Sequence, residues 1–152
     1  MDSMLTESGL KEAIKSALSY SEYRELIRKL LEEGKTTGPK QSEEMTHYTE
    51  LNVLRMNRLD RKDLNENLLT EAAKLQNPYL FLVITEAWCG DASQSVPILA
   101  KLDTFENIEV KFILRDEFPE VMDLYLTNGA RSIPKLIVFN KDNWEEEAQW
   151  GP

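Results

Sequence analysis

The residues best suited to chemistry form the segment Trp88-Cys89-Gly90-Asp91. Cys89 is the single cysteine of the chain, and it lies between a run of apolar residues and a stretch with helical spacing. A sulfur at the start of a helix faces unpaired backbone N–H groups and the positive end of the helix dipole. Both favour the thiolate, which is the reactive form of cysteine. The spacing therefore predicts a nucleophile at the junction of a strand and a helix.

Each of these residues also has a purely structural interpretation. A lone cysteine is often a small buried apolar residue, and an acidic residue such as Asp91 stabilises the first turn of a helix by ~0.3–1 kcal/mol. Asp91 would also oppose a thiolate at Cys89, by ~3 kcal/mol at about 6 Å and an effective dielectric constant of about 20. Trp88 fits a partly exposed ring over the sulfur or a packing residue. The sequence leaves the direction of the Cys89 pKa shift open.

A second candidate segment comes just before another apolar strand, where Ile133 and Pro134 precede Lys135. The proline would shape a groove and expose neighbouring backbone to an extended partner. The nearby Arg131 allows three interpretations: it pairs with Asp91, it holds a substrate carboxylate, or it is a solvated loop residue.

The second half of the chain predicts alternating strands and helices. The continuous apolar run Tyr79–Thr85 is typical of a central strand covered on both faces. The alternating segment Ile108–Leu114 indicates a strand at the sheet edge. The remaining predicted elements are a helix over Asp91–Leu102, a short helix over Phe118–Leu126, a strand over Lys135–Asn140 and a final segment over Glu145–Trp150.

The first half of the chain predicts helices and no strand. Apolar residues recur at intervals of three or four from Leu10 onward. We expect one helix to begin with Ser21 as its N-cap and to end at Gly34. Two more are expected from about Ser42 to Leu59 and from about Asp63 onward.

The two candidate segments, together with the order α-β-α-β-α-β-β after Asp63, resemble the thioredoxin superfamily over about residues 63–150. Three segments resemble more narrowly a bacterial thioredoxin-like subfamily with a helical N-terminal extension: Trp88–Ala92, Thr127–Lys135 and Gln149–Pro152. The resemblance implies an α/β, three-layer thioredoxin-like fold with a mixed sheet of about four strands. We expect a single domain, with residues 1–61 as the extension and 62–152 as the core.

The resemblance also implies that the Ile133–Pro134 bond is cis and lies beside the sulfur of Cys89. Three departures from the family's pattern accompany it. Asp91 and Ala92 stand where thioredoxins have proline and the second, resolving cysteine, and Val83 stands where they have a buried aspartate. The C-terminal helix that the resemblance implies after Trp150 has no counterpart in the sequence, so we expect the chain to be truncated.

Two functions are compatible with these features. The first is a monothiol oxidoreductase in which Cys89 attacks a disulfide and a small thiol or another protein resolves the adduct. The second is a binding module, without redox activity, that holds an extended peptide in a groove between Trp88 and Pro134. The supporting residues would be Gly90, Asp91, Ile133 and Arg131.

Composition limits the partners. The chain has 152 residues, 41% of them hydrophobic, and a net charge of −9, which argues against nucleic acid and anionic membranes as partners.

Residues Met1–Leu5 lack the features of a secretion signal, so we expect a cytoplasmic protein. The only histidine, His47, has no Cys or His cluster around it, so we expect no metal and no cofactor beyond a small thiol as co-substrate. The expected partner is a protein disulfide or a small thiol, and the oligomeric state is open.

Overall fold

The computed structural model describes residues 9–152. The first eight residues of the predicted extension, including Met1–Leu5, lie outside the described residues. The helices are α1 Leu10–Ser16, α2 Tyr20–Glu32, α3 Glu43–Asp60, α4 Glu66–Ala73, α5 Gly90–Ala100 and α6 Pro119–Met122, with a 3-10 turn over Lys101–Thr104. The strands are β1 Tyr79–Thr85, β2 Ile108–Leu114, β3 Lys135–Asn140 and β4 Glu146–Trp150.

The starts of the helices follow from capping side chains. Ser42, the predicted start of α3, is its N-cap residue, and its hydroxyl accepts a hydrogen bond from the backbone N–H of Met45 at 3.1 Å. The prediction of Ser21 as a cap is wrong. The cap is Ser19, whose hydroxyl and backbone exchange hydrogen bonds with Glu22, and this capping box starts α2 earlier. Helix α4 is capped by Asn65, two residues after the predicted start.

The four strands form one mixed sheet in the order β2-β1-β3-β4. Strand β1 pairs parallel with β2 and antiparallel with β3, and β4 pairs antiparallel with β3. Every residue of β1 is buried, as the continuous apolar run predicts. The predicted α/β fold with a mixed four-stranded sheet is confirmed.

Strand β2 lies at the predicted edge of the sheet, and its burial alternates where Glu109 and Lys111 occur. One residue of the extension reaches this edge. Leu18 forms an isolated antiparallel bridge with Phe112, and the two exchange both backbone hydrogen bonds at 2.8 Å. The described part of the extension therefore supplies helices and a single bridging residue at the place where a further strand would pair.

Two apolar layers cover the two faces of the sheet. Alternate residues of β1 point to opposite faces, which separates Val83 from Leu82. The first layer packs around Tyr23, Ile27, Met56, Val83 and Val96, and so includes α2, α3 and α5. The second packs around Leu10, Leu82, Met122, Ile137 and Phe139, and so includes α1 and α6. Within residues 9–152, the helices are too short or too polar to span a bilayer.

Candidate functional site

Cys89 lies where the sequence places it, between the end of β1 and the start of α5. It is the N-cap residue of α5, and its sulfur accepts a hydrogen bond from the backbone N–H of Ala92 at 3.5 Å. The sulfur also lies 3.7 Å from the carbonyl oxygen of Ile133. The Ile133–Pro134 bond is cis, as predicted. The fold therefore brings the two candidate segments together at one sulfur atom.

The environment of Cys89 raises its pKa above the ordinary value of a thiol. Burial is the largest cause, because a thiolate loses hydration in an apolar setting. The backbone N–H groups of Ala92 and Asp91 and the charge of Arg115 lower the pKa, whereas the charge of Asp91 raises it. Burial therefore decides the direction of the Cys89 pKa shift, which the sequence leaves open. The thiol is the favoured form at neutral pH.

A cavity of about 750 Å³ opens beside the sulfur. The core contributes one side of it and the extension contributes the other. Its lining from the core is Trp88, Cys89, Gly90, Asp91, Arg115 and Asp116, and its lining from the extension is Pro39, Lys40, Met45 and Tyr48. The Arg115 guanidinium lies 4.9 Å from the centre of the Trp88 ring and forms an ion pair with Asp116 at 2.9 Å. The cavity thus combines aromatic and thioether surface with charges of both signs.

Another cleft, of about 970 Å³, lies between α2 and α3 and has no contact with Cys89. Arg24 on its wall is paired with Asp60 at 2.5 Å, and Tyr20 donates a hydrogen bond to the same carboxylate at 2.6 Å. Its charged groups are therefore already occupied by one another. We place the candidate site at the smaller cavity because it contains the sulfur.

Two contacts hold the segment around Pro134 in place: an ion pair of Arg131 and the close approach of Gly151. Arg131 forms an ion pair with Asp123 at 2.8 Å, which assigns it a partner other than Asp91. Gly151 has φ +150°, and a Cβ there would lie 2.6 Å from the carbonyl oxygen of Pro134. No side chain fits in that space, so glycine lets β4 approach the cis-proline turn.

Two buried polar residues beside the site escaped prediction from the sequence, as did Arg115, Asp116 and the cavity residues of the extension. Glu86 is fully buried, with 0% of its surface exposed, and burial raises the pKa of its carboxyl group. Thr37 of the extension donates a hydrogen bond to this carboxylate at 2.6 Å. The only signal in the sequence is an acidic residue directly after a strand that is apolar up to its last residue, three positions before Cys89.

A family model described as thioredoxin matches residues 38–152, which is more than half of the chain. The chain belongs to the thioredoxin family. The match begins inside the loop that precedes α3, so this thioredoxin-family region includes the extension residues that line the cavity. No curated protein matches the chain.

Two solved structures resemble this thioredoxin-family chain in fold. One is a protein of unknown function from Pseudomonas aeruginosa, with a TM-score of 0.55 and 18% identity, covering 88% of this chain and 76% of the other. The other is an HIV epitope scaffold, with a TM-score of 0.54 and 18% identity, covering 82% of this chain and 75% of the other. At this identity the likeness extends to the fold alone.

Metal binding has no support in the part of the chain that the structure describes. Residues 9–152 contain no group of three or more His, Cys, Asp or Glu side chains arranged to hold an ion. His47 lies on α3 and Cys89 in the turn before α5, and neither belongs to such a group.

Proposed function

We propose that the protein is a monothiol thiol–disulfide exchange protein that acts through Cys89. The observation that carries the proposal is the position of the sulfur. It is the N-cap of α5, it lies 3.7 Å from the carbonyl oxygen preceding the cis-proline, and it opens onto a cavity of about 750 Å³. A structural cysteine that only filled space would need no cavity at its sulfur.

The exchange would proceed in two displacements. The Cys89 thiolate attacks one sulfur of a disulfide, so a Cys89–substrate disulfide forms and the other half leaves as a thiolate. A small thiol then attacks the mixed disulfide on the substrate sulfur, which forms a new disulfide and returns the Cys89 thiolate. Ala92 stands where a resolving cysteine would be needed for an internal second step, so the second thiol comes from outside the chain.

The raised pKa of Cys89 shapes this activity. Below the pKa, the thiolate fraction rises about tenfold with each pH unit, and the exchange rate follows it. We therefore expect activity to increase from neutral toward alkaline pH. The N–H group of Ala92 holds the thiolate once it forms, because it already points at the sulfur at 3.5 Å.

The same pKa direction favours a second candidate function. A half-buried thiol within 3.7 Å of the Ile133 carbonyl oxygen can act as a weak hydrogen-bond donor in a site that binds an extended peptide without redox chemistry. In that case, Trp88 and the other cavity residues supply the binding surface, whereas Pro134 is buried and the Cys89 side chain serves only for packing.

The test measures alkylation of Cys89 by iodoacetamide against pH, and turnover of a small disulfide with a small thiol as co-substrate. For the exchange function we expect an alkylation midpoint above the ordinary thiol value of about 8.5, with turnover rising along the same curve. Asp91→Asn should lower the midpoint, because it removes the nearby negative charge and keeps the backbone N–H.

Cys89→Ser is the control, because a hydroxyl fits the space of the sulfur but does not attack disulfides. It should abolish turnover while the fold, measured by circular dichroism, is retained. Wild-type protein that forms no mixed disulfide with the small thiol at any pH, and that binds peptides as well as Cys89→Ser does, would refute the exchange function in favour of the binding module.

A further inference from the structure

Glu86 is a buried acid that the exchange reaction does not use. Its side chain is fully buried, yet both of its hydrogen-bond donors are uncharged. The Thr37 hydroxyl donates to one carboxylate oxygen at 2.6 Å, and the backbone N–H of Asp116 donates to the other at 3.1 Å. A buried carboxylate is costly in free energy, so its retention beside the candidate nucleophile calls for a role.

Thr37 links this acid to the main chain of the Cys89 turn. The same hydroxyl that donates to Glu86 accepts a hydrogen bond from the backbone N–H of Ala87 at 2.9 Å. Asn52 of α3 donates to the carbonyl oxygen of Ala87, also at 2.9 Å. Both polar groups of one backbone residue, two positions before the sulfur, are thus bonded to the extension.

The Cys89 turn depends on these bonds because it lies between two regular elements. Strand β1 ends at Thr85 and helix α5 begins at Gly90, so residues 86–89 lie outside both. The loop that carries Thr37 also lies directly against the turn. At Gly38, with φ +83°, a Cβ would lie 3.2 Å from the Glu86 carboxylate and 3.6 Å from Nε1 of Trp88.

We propose that Glu86 is a positioning residue whose hydrogen bond with Thr37 holds the N-terminal extension against the Cys89 turn. The extension thereby controls which reagents reach the sulfur. The residues that follow Thr37 and Gly38 along the chain, Pro39 and Lys40, form the outer wall of the cavity at the sulfur. Loss of the Thr37–Glu86 hydrogen bond would move this wall away from Cys89, while the sheet keeps the sulfur in place.

This control of access rests on the proposed function only in taking Cys89 as the reacting atom. Alkylation reports access to the sulfur without any disulfide substrate. If the protein shows no turnover but alkylation of Cys89 still depends on the Thr37–Glu86 hydrogen bond, only the exchange function is refuted. If turnover is normal but alkylation of Cys89 does not depend on this hydrogen bond, only the role of Glu86 and Thr37 is refuted.

The experiment compares the rates at which Cys89 reacts with iodoacetamide and with a maleimide that carries a long polyethylene glycol chain. Thr37→Val and Glu86→Gln should each raise the ratio of bulky to small reagent about tenfold, since a buried hydrogen bond shifts an opening equilibrium by about that factor. The double variant should raise the ratio no further than Thr37→Val alone, because loss of the Thr37 hydroxyl already removes the contact between the loop and Glu86, together with the bond to Ala87.

Thr46→Val is the matched control, since it removes a threonine hydroxyl of the same extension that bonds to the carbonyl oxygen of Gly34 and not to Glu86 or Ala87. It should leave the ratio unchanged. Thr37→Ser keeps the hydroxyl and should restore the wild-type ratio, which a simple loss of packing at Thr37 would not predict. Folded Thr37→Val and Glu86→Gln proteins with the wild-type ratio would overturn the proposal.

A second measurement applies if the valine and glutamine variants do not fold. Hydrogen exchange of the wild-type segment 35–42 should change when Cys89 is alkylated with the bulky maleimide, because the wall must move to admit the reagent. Exchange of this segment that is the same before and after modification would overturn the proposal.

Discussion

Strand β1 leads directly into the Cys89 turn, whereas the loop before α3 reaches it from another part of the sequence, and the two regions hold the turn by different forces. Every residue of β1 is buried, and all but the last are apolar. The loop contributes the buried hydroxyl of Thr37, and α3 contributes the buried amide of Asn52. The sheet therefore fixes the turn by apolar packing, and the extension fixes it by directed hydrogen bonds.

The difference separates stability from positioning. Apolar burial is large and nondirectional, so it sets the free energy of unfolding but tolerates small displacements. A buried hydrogen bond adds less net free energy but requires its partners at a defined distance and angle. Three substitutions test this division, in order of their expected effect on the free energy of unfolding.

The largest effect is expected from Leu82→Ala in the centre of β1. Leu82 has 0% of its surface exposed and lies on the central strand, which pairs with β2 on one side and β3 on the other. The substitution leaves a cavity in the second apolar layer and should lower the free energy of unfolding by about 2–5 kcal/mol. Urea denaturation followed by circular dichroism measures it. A loss below about 1 kcal/mol would show that apolar packing of the sheet is not the main source of stability.

A smaller effect is expected from Asn52→Ala on α3. The substitution leaves the carbonyl oxygen of Ala87 without its donor in a buried setting and should lower the free energy of unfolding by about 1–3 kcal/mol. It should also change the alkylation rate of Cys89, which Leu82→Ala should leave unchanged under conditions where both proteins are folded. Equal effects of the two variants on that rate would remove the distinction between the two regions.

The smallest effect is expected from Arg28→Ala on the outer face of α2. Arg28 pairs with Glu25 and Glu32 at 2.5 Å, but all three side chains are largely exposed. Exposed ion pairs are screened by water and salt, so the midpoint of urea denaturation should stay within experimental error. A clear loss would show that charge on the extension stabilises the fold, in addition to its hydrogen bonds to the turn.

Much of the fold could be predicted because its signals are local. The seven-residue apolar run of β1 identifies a central strand, and the alternation in β2 identifies an edge strand. The start of α3 near Ser42 and the cis bond before Pro134 were also predicted, the latter from the resemblance. The error at Ser21 arose because Ser19 and Glu22 form a capping box with each other, and this reciprocal pair determines the start of α2.

The sequence by itself determined the order of helices and strands along the core, the position of Cys89 between a strand and a helix, and the loss of a second cysteine, because each depends on neighbouring residues. Only the tertiary structure decided the direction of the Cys89 pKa shift and the contact of Thr37 with Glu86. Burial of a thiol depends on every layer packed around it. Thr37 and Glu86 lie 49 positions apart in the chain, and only the docking of the extension on the core makes them neighbours.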